Sequence, residues 1–271
     1  MTLTLTLRET PAVPLEVSML SPDRLAQMGR REIQSLEVWH GNRRSRMGDF
    51  FAVSGQGGED LRVEGDLTRV KFVGADMNGG RLVVSGSVGM HAGARMRDGQ
   101  IVIEGDAGDW AGAEMRGGVL EVRGSAGRRL GAAYPGRRAG MRGGEIVVRS
   151  GVGEEAGAGM RRGLVAIGGR AGAYAGLRML AGTIAAFGGM GDNPGAGMRR
   201  GSIVSMGPTT PLPTFLFSCS YHPPFLDLCL RRLRVLGLEV SDEQLAGSYA
   251  RWSGDALELR RGELLIMESQ T

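Results

Sequence analysis

The chain has 271 residues, a formal net charge of +4 and a hydrophobic content of 42%. Such a length and hydrophobic content support a sizeable folded core and exclude a predominantly disordered chain. There is no apolar run of eighteen residues, and the first residues, MTLTLTLRETPAVP, lack the basic and apolar regions of a signal peptide. We therefore expect a cytoplasmic protein with no membrane contact.

The basic residues are almost all of one type, because Lys71 is the single lysine among 33 basic residues. A GC-rich genome favours arginine codons, and a surface selected for bidentate contacts with carboxylate or phosphate also favours arginine. The two cysteines, Cys219 and Cys229, belong to no CxxC motif, and we expect buried thiols. No metal-ligand spacing connects the three histidines, His40, His91 and His222.

The N-terminal segment, residues 1–55, begins with the alternating sequence LTLTL at positions 3–7, which predicts a strand. SPDRLAQM then predicts a short helix, with Ser21 as the N-cap and Pro22 as the first helical residue. REIQSLEVWHGN, residues 31–42, has the pattern of a strand that leads into a turn.

A repeat follows, in which methionines mark successive units. They are spaced by 19, 19, 26, 19, 19 and 19 residues: Met77, Met96, Met115, Met141, Met160, Met179 and Met198. The longer interval contains a seven-residue insertion within AAYPGRRAG, residues 132–140. A fixed period of this kind indicates a repeat architecture rather than a flexible glycine-rich linker.

Each unit reads M-x-x-G, a short aliphatic segment, G-x-x-G and a further glycine. The aliphatic segments (LVV, IVI, LEV, IVV, VAI, IAA and IVS) are too short for helices and predict strands. The glycines supply the turns between them. We therefore predict a mainly β protein: a parallel, right-handed β-helix of about seven to eight coils over residues 56–207. Residues 56–76 form a degenerate first coil.

Two features of the repeat have competing interpretations. A methionine ladder is compatible with a soft-metal track, but stacked methionine is also good core filler, and we predict core packing. The G-x-x-G runs resemble phosphate-binding loops, yet no helical segment follows them, so we interpret them as turns.

Arginine follows the methionine in five of the seven units: Arg97, Arg116, Arg142, Arg161 and Arg199. Arg162 and Arg200 are adjacent, and Arg137 and Arg138 lie in the insertion. Equivalent positions in successive coils lie about 5 Å apart, where like charges repel unless water or an anion intervenes. Solvation, carboxylates of a partner protein and a polyanionic ligand all remain possible explanations.

The C-terminal segment, residues 208–271, begins with PTTPLP as a linker. PPFLDLCLRRLRVLGL predicts a helix that ends at Gly237, SDEQLAGSYARWSGD a second capped short helix, and ALELRRGELLIM a strand. These small α/β flanking segments would cap the open ends of the repeat and dock on partners.

Flanks and repeats together resemble a known family. LEVWHGNRRSRMGDFFAVSG, the glycine–methionine units and WSGDALELRRGELLIM are similar to the C subunit of formylmethanofuran dehydrogenase and of the bacterial formyltransferase/hydrolase complex. The repeats alone also resemble the glycine-rich C-terminal β-helix domain of the glutamate synthase large subunit.

The resemblance implies a role in one-carbon metabolism. The bacterial complex transfers a formyl group from formyl-tetrahydromethanopterin to a methanofuran-type carrier and hydrolyses it to formate. The partners implied are an amidohydrolase-like subunit with metals, a formyltransferase subunit and one further subunit. The carrier and the metal-dependent hydrolase would belong to those subunits, and we predict no catalytic, cofactor-binding or metal-binding residue in this chain.

Alternatives remain at this stage. The archaeal molybdenum or tungsten formylmethanofuran dehydrogenase is the first, although scarcity of lysine favours the bacterial complex. A stand-alone glycan or polyanion binder is less compatible with an aromatic content of 5%, and nucleic-acid binding lacks stacking aromatics. A glutamate-rich carrier tail is the polyanion that the resemblance suggests for Arg97, Arg116, Arg137, Arg138, Arg142 and Arg161.

Overall fold

The computed structural model describes residues 2–268 and shows a mainly β protein. Its described strands form one large, mostly parallel sheet of 13 strands and a second sheet of 4 strands. The two edges of the large sheet are the strands Leu216–Tyr221 and Phe51–Ser54, and the small sheet consists, in order, of Arg43–Arg46, Glu37–His40, Leu15–Glu16 and Val70–Lys71.

The N-terminal segment lies at one end of the large sheet. Its elements are β1 (Leu3–Leu7), β2 (Leu15–Glu16), α1 (Pro22–Leu25), α2 (Arg30–Ser35), β3 (Glu37–His40), β4 (Arg43–Arg46), α3 (Met47–Phe50) and β5 (Phe51–Ser54). The strand predicted over residues 3–7 is confirmed, and it pairs with β5 in antiparallel and with the first repeat strand in parallel orientation.

The repeats supply the middle of the large sheet. Their strands are β6 (Asp60–Glu64), β7 (Val70–Lys71), β8 (Arg81–Ser85), β9 (Gln100–Ile103), β10 (Val119–Val122), β11 (Arg142–Val148), β12 (Arg162–Ile167), β13 (Thr183–Ala186) and β14 (Gly201–Ser205). Apart from β7, which pairs with β2, they are joined in parallel. A strand therefore follows each M-x-x-G motif, as the sequence predicts.

Two further columns of parallel contacts connect the same repeats. Single-residue bridges run through Leu67, Val88, Ala107, Ala126, Val152, Ala171 and Met190. At the residue after each methionine from Met96 onward, a backbone N–H donates to the methionine carbonyl of the preceding repeat, as from Arg116 to Met96 at 2.7 Å. Each repeat is thus bonded to the next at three places along its length.

The interior is filled by the repeat itself. All seven ladder methionines have 0% exposure, which confirms core packing for this column. The glycines beside them leave no room: a Cβ on Gly118 would lie 2.6 Å from the Met96 methyl and 2.7 Å from the Gly99 carbonyl oxygen. Gly118 also has a φ of +79°, so this turn needs glycine for both space and conformation.

The C-terminal segment extends the large sheet beyond the repeats. Its elements are β15 (Leu216–Tyr221), α4 (Pro224–Val235), α5 (Asp242–Ala246), β16 (Tyr249–Ser253), a 3₁₀ turn (Ala256–Glu258) and β17 (Gly262–Met267). β17 pairs in parallel with β14, and β16 and β15 add antiparallel strands to it. α4 packs Leu226, Leu230 and Leu233 into a second core on the outer face of the sheet.

Both predicted helices of this segment are present, but the second covers only the first part of SDEQLAGSYARWSGD, because Tyr249–Ser253 is strand β16. α4 is followed by Gly237 in a left-handed conformation (φ +82°). At α5 the Ser241 hydroxyl accepts from the Gln244 N–H, and the Gln244 side chain accepts from the Ser241 N–H.

Other local predictions are wrong. Residues 30–35 are helical rather than extended, because Glu32 accepts a hydrogen bond from the N–H of Gly29 and Ile33 is buried against the core. By contrast, the predicted short helix with Ser21 at its N-cap and Pro22 as its first residue is confirmed, although the Ser21 hydroxyl makes no hydrogen bond to the helix.

The C-terminal strand prediction is too long and one cysteine prediction is wrong. Residues 256–258 form a 3₁₀ turn, and only Gly262–Met267 is strand.

Cys219 is exposed on β15, because β15 is an edge strand of the sheet. Cys229 is partly buried.

None of the helices formed within residues 2–268 combines the length and the apolar character needed to cross a membrane.

Candidate functional site

The arginines that follow the methionines form one stacked column, here called the arginine corner: Arg97, Arg116, Arg142, Arg161 and Arg199. Their backbones are held by the N–H to carbonyl bonds between repeats, at 2.7 to 2.8 Å. Their side chains are exposed. The structure therefore fixes the backbone of this column and presents a guanidinium at five of seven repeats.

Most of these guanidinium groups have no acidic neighbour. Within residues 2–268, no carboxylate forms an ion pair with Arg97, Arg116, Arg142 or Arg161. Arg199 is the exception, because its Nε lies 3.0 Å from Glu258. This column consequently carries concentrated positive charge on the described surface.

An open groove with a volume of about 820 Å³ lies beside the insertion. Arg137 and Arg138 of the insertion line it together with Arg178, Arg199 and Glu258. We refer to it as the arginine groove. The structure thus brings both insertion arginines near the end of the arginine corner.

The other predicted residues are arranged differently. Arg142 and Arg161 line a smaller cavity of about 270 Å³ with Arg162, whereas Arg97 and Arg116 lie outside both cavities. The six arginines therefore do not form one pocket. They extend along one side of several repeats.

A second column of side chains is marked by backbone conformation, because its non-glycine residues have positive φ. We call it the left-handed face; its members are Phe72, His91, Trp110, Arg129, Glu155, Tyr174 and Asn193. Arg129 on this face donates to Glu155 at 2.9 Å and lies 4.8 Å above the Trp110 ring. Charge on this face is neutralised by neighbours in the same chain.

A second left-handed column lies four residues after the first in the repeat and includes Asp76, Arg95, Glu114 and Arg178. It also contains an ion pair between successive repeats. Arg95 forms a two-bond contact with Asp76, with Nε–Oδ1 at 3.0 Å and Nη2–Oδ2 at 2.7 Å. This contact raises the pKa of Arg95. Sequence reasoning did not find either left-handed column, although the 19-residue spacing of Phe72, His91 and Trp110 was a usable signal.

Tyr134 of the insertion folds back onto the left-handed face. Its ring stacks on Trp110 at 5.0 Å, and its hydroxyl lies 2.8 Å from Nδ1 of His91. Burial lowers the pKa of His91 to about 4, and Lys71 and Arg95 add to the shift. Burial also raises the pKa of Tyr134 to about 12. Near neutral pH, a neutral imidazole and a protonated phenol share this hydrogen bond.

Glu114 lies under the same insertion. The residue is 4% exposed, and its Oε1 has no hydrogen-bond partner among the described residues. The closest cationic group is Nε of Arg137, at 3.7 Å. This pair is an ion pair without a hydrogen bond, so it attracts Arg137 toward the left-handed face without fixing its orientation.

Other titratable groups belong to local contacts. His222 contacts Asp227 at 3.2 Å and the Gly247 carbonyl oxygen at 2.9 Å, and the Gly247 bond raises its pKa. In the part of the chain that the structure describes, no three His, Cys, Asp or Glu side chains come together as a metal site would require.

The whole chain is similar to a solved structure. It matches a chain of the formyltransferase/hydrolase complex (FhcABCD) from Methylorubrum extorquens, crystallised in complex with methylofuran, at 34% identity and a TM-score of 0.92. The match covers 98% of this chain and 100% of that one.

Curated relatives match over shorter segments. The C subunit of the molybdenum-containing formylmethanofuran dehydrogenase 1 of Methanothermobacter marburgensis is 38% identical over 80 residues, which is 29% of this chain and 20% of that protein. The C subunit of the tungsten-containing formylmethanofuran dehydrogenase 2 of Methanothermobacter thermautotrophicus is 38% identical over 92 residues, 32% of this chain and 34% of that protein. The match thus spans about a third or less of the length of these two relatives.

No family model matches the chain. The family is nevertheless shown by the similarity in sequence and structure to one relative over its full length. The similarity to several C subunits over shorter segments agrees with it. The chain belongs to the family formed by the C subunits of the formylmethanofuran dehydrogenases and formyltransferase/hydrolase complexes.

Proposed function

We propose that this chain is a non-catalytic structural subunit of a cytoplasmic formyltransferase/hydrolase complex. The complex transfers a formyl group from formyl-tetrahydromethanopterin to a methanofuran-type carrier and hydrolyses the formyl carrier to formate. The observation that carries the proposal is the match to a chain of such a complex over 98% of this sequence.

The proposed architecture is a parallel, right-handed β-helix. Three columns of contacts at a 19-residue period support it: the strand ladder, the single-residue bridges and the N–H bonds to the methionine carbonyls. Each column corresponds to one side or corner of a coil, and the filled methionine interior suits a rigid rod. The right hand follows from the general preference of parallel crossovers.

Residues 1–55 and 208–271 would serve as caps and docking segments around the repeats at 56–207. Support comes from β1 and β5 at one end of the sheet and β17, β16 and β15 at the other. Two free cysteines, one exposed, suit a reducing cytoplasm. The partners proposed are an amidohydrolase-like subunit with its metals, a formyltransferase subunit and one further subunit.

Co-purification tests this proposal. The tagged chain, produced in its native host, should bring three other subunits in stoichiometric amounts, and the complex should release formate from formyl-tetrahydromethanopterin. A chain that purifies alone in active cells would contradict it. Formylmethanofuran oxidation coupled to an electron acceptor, with a molybdenum or tungsten subunit present, would favour the archaeal-type alternative.

We also propose that the exposed arginines contact the glutamate-rich tail of the carrier. The specific observation is that no carboxylate among the described residues pairs with Arg97, Arg116, Arg142 or Arg161, together with the arginines that line the groove. Guanidinium groups suit carboxylates, and each exposed contact contributes at most about 1 kcal/mol and weakens with salt. Several contacts in a row would hold a long acidic tail loosely.

The test replaces Arg97, Arg116, Arg142 and Arg161 together with glutamine. The apparent KM for the carrier should rise and its salt dependence should flatten, while hydrolysis of a tail-less formyl carrier stays intact. The matched control replaces Arg81, Arg123, Arg128 and Arg170, which are exposed residues of the repeats outside the corner and change the net charge equally.

The controls also separate the alternatives. A complex that fails to assemble after the four corner substitutions would show that the arginines contact a partner protein. Equal responses of both carriers, or no response, would leave the corner as a solvated surface.

A further inference from the structure

The insertion is firmly attached at its ends and loosely in its middle. Ala133 donates to the Ala158 carbonyl oxygen at 2.9 Å, and Gly140 donates to the Gly159 carbonyl oxygen at 2.8 Å. Between residues 134 and 139, the backbone bond described is the turn from the Arg137 N–H to the Tyr134 carbonyl oxygen. Side-chain contacts must therefore decide where the middle of this loop lies.

Tyr134 provides the strongest of these contacts. Besides the bond to His91 and the stack on Trp110, it covers a floor of small side chains from three successive repeats: Ala75, Ala94 and Ala113. Aromatic stacking and one partly buried hydrogen bond fix both the position and the rotation of the ring. The loop is thereby drawn back across earlier repeats.

This position determines one wall of the arginine groove. Arg137 and Arg138 come three and four residues after Tyr134 and line the groove with Arg178 and Arg199. Glu114 attracts Arg137 at 3.7 Å but makes no hydrogen bond to it. Without the tyrosine contact, this weak pair would be the remaining side-chain restraint described for the loop arginines.

We propose that Tyr134 and His91 are positioning residues for the arginine groove. Their hydrogen bond holds the 132–140 loop on the left-handed face, so that Arg137 and Arg138 stay beside Arg178 and Arg199 and bind an acidic chain together. The inference rests on the proposed contact with the carrier tail. It assigns a positioning role to His91, which lies outside the groove lining, and to Tyr134, whose ring also forms part of the groove wall.

The decisive variant is Tyr134→Phe, which keeps the stacked ring and removes the hydroxyl. Two quantities are measured on the purified complex: the rate of trypsin cleavage after Arg137 and Arg138, and the affinity for a labelled ten-residue oligoglutamate at low salt. Cleavage should accelerate and affinity should fall, each roughly three- to tenfold, the factor that one net hydrogen bond represents.

Tyr174→Phe is the matched control. Tyr174 belongs to the left-handed face, at the position equivalent to His91, two repeats beyond the insertion. It is 42% exposed, and its hydroxyl makes no described hydrogen bond. Both quantities should equal those of the parent. A second variant, His91→Asn, tests the other partner, because asparagine tolerates the left-handed conformation that His91 adopts at φ +66°.

The double variant tests whether the two residues act through one bond. His91→Asn combined with Tyr134→Phe should be no worse than the more affected single variant, since the shared contact is already lost. Parent-like cleavage in Tyr134→Phe overturns the proposal, and so does faster cleavage with unchanged affinity. Failure of the parent complex itself to bind oligoglutamate would instead overturn the carrier contact on which the proposal rests.

Discussion

Two columns of side chains run along the repeats with the same 19-residue spacing, and they differ in how their charges are satisfied. On the left-handed face, Arg129 pairs with Glu155 and stacks over Trp110. At the arginine corner, Arg97 and Arg116 have no ion pair in the described part of the chain. The same 19-residue backbone repeat therefore carries one surface with internally paired charges and one with mostly unpaired charges.

The difference indicates what each surface is for. A column whose charges are neutralised internally contributes to the chain's own stability, since breaking a pair leaves a partly buried charge without its partner. A column whose arginines, apart from Arg199, have no ion pair within residues 2–268 is stabilised by solvent screening or by an external anion. Stability should therefore depend on the left-handed face, and binding should depend on the arginine corner.

The largest effect should come from the scaffold under both columns. Gly118→Val introduces a branched side chain at φ +79°, where a Cβ already meets the Met96 methyl and a backbone carbonyl. We expect a loss of about 3 kcal/mol, with poor assembly of the complex. Thermal unfolding and the yield of assembled complex measure it.

Gly79→Ala is the control for this substitution. A Cβ at Gly79 has nothing within 4 Å, and no left-handed conformation is needed there. It should unfold and assemble like the parent. If Gly118→Val did the same, the tight glycine turn would not be a requirement of the repeat.

The strand positions and the methionine interior could be predicted because their chemistry is periodic. Aliphatic segments and methionines recur as the same residue types, and each type has one dominant structural use. The left-handed face gives a weaker signal, because its aromatic residues Phe72, His91 and Trp110 are followed by residues of other chemistry. Arg129, Glu155 and Asn193 share their backbone conformation but not their side-chain type.

Tertiary contacts explain the remaining differences. The arginine corner was visible in the sequence, but which of its members lines the groove together with Arg137 and Arg138 depends on the path of the insertion. That path is set by Tyr134 reaching His91, which is 43 residues earlier in the chain. No local pattern encodes such a contact, and Arg178 of the groove was missed for the same reason.

The next prediction compares the arginine corner with another surface that lacks a partner among residues 2–268, the unpaired edge of strand β15. The last strand of the sheet exposes Leu216 (48%) and Phe217 (56%) and carries no charge that would prevent pairing with another strand. We expect the chain produced alone to self-associate through this edge, and Phe217→Lys to yield mainly monomer. Size-exclusion chromatography with light scattering measures the mass.

The dependence of self-association on salt concentration identifies which of the two surfaces is responsible for it. Association through apolar side chains on β15 should persist at high salt, whereas association through arginines should weaken. A monodisperse parent chain would contradict the prediction, as would association that disappears with salt and is unaffected by Phe217→Lys.

A smaller effect compares the arginine corner with the second left-handed column, which contains the ion pair of Asp76 and Arg95. Asp76→Asn removes the carboxylate that Arg95 binds through two hydrogen bonds, at a site where both side chains are 31% exposed. We expect a loss of about 1 kcal/mol in stability. Arg116→Gln at the corner removes no described pair and should change stability by less than about 0.5 kcal/mol. Denaturant unfolding of both variants in one background gives the difference, and equal losses would remove the distinction between the columns.

The smallest effect concerns acid, which should weaken the left-handed face and leave the corner arginines charged. Burial holds the pKa of His91 near 4, below its ordinary value of 6.5, so the folded chain binds its proton less readily than the unfolded chain. This contribution to stability is complete above about pH 6.5 and is lost progressively as the pH falls toward 4. Lys71 and Arg95 strengthen the shift, and Asp109 opposes it.

Because His91 is only about half buried, the change in stability with pH should be modest, and it should appear as a difference between the parent and His91→Asn. The stability of His91→Asn relative to the parent should therefore improve as the pH is lowered from 7 to 4.5. A constant difference across that range would show that His91 titrates normally and that Tyr134 does not seal it from solvent.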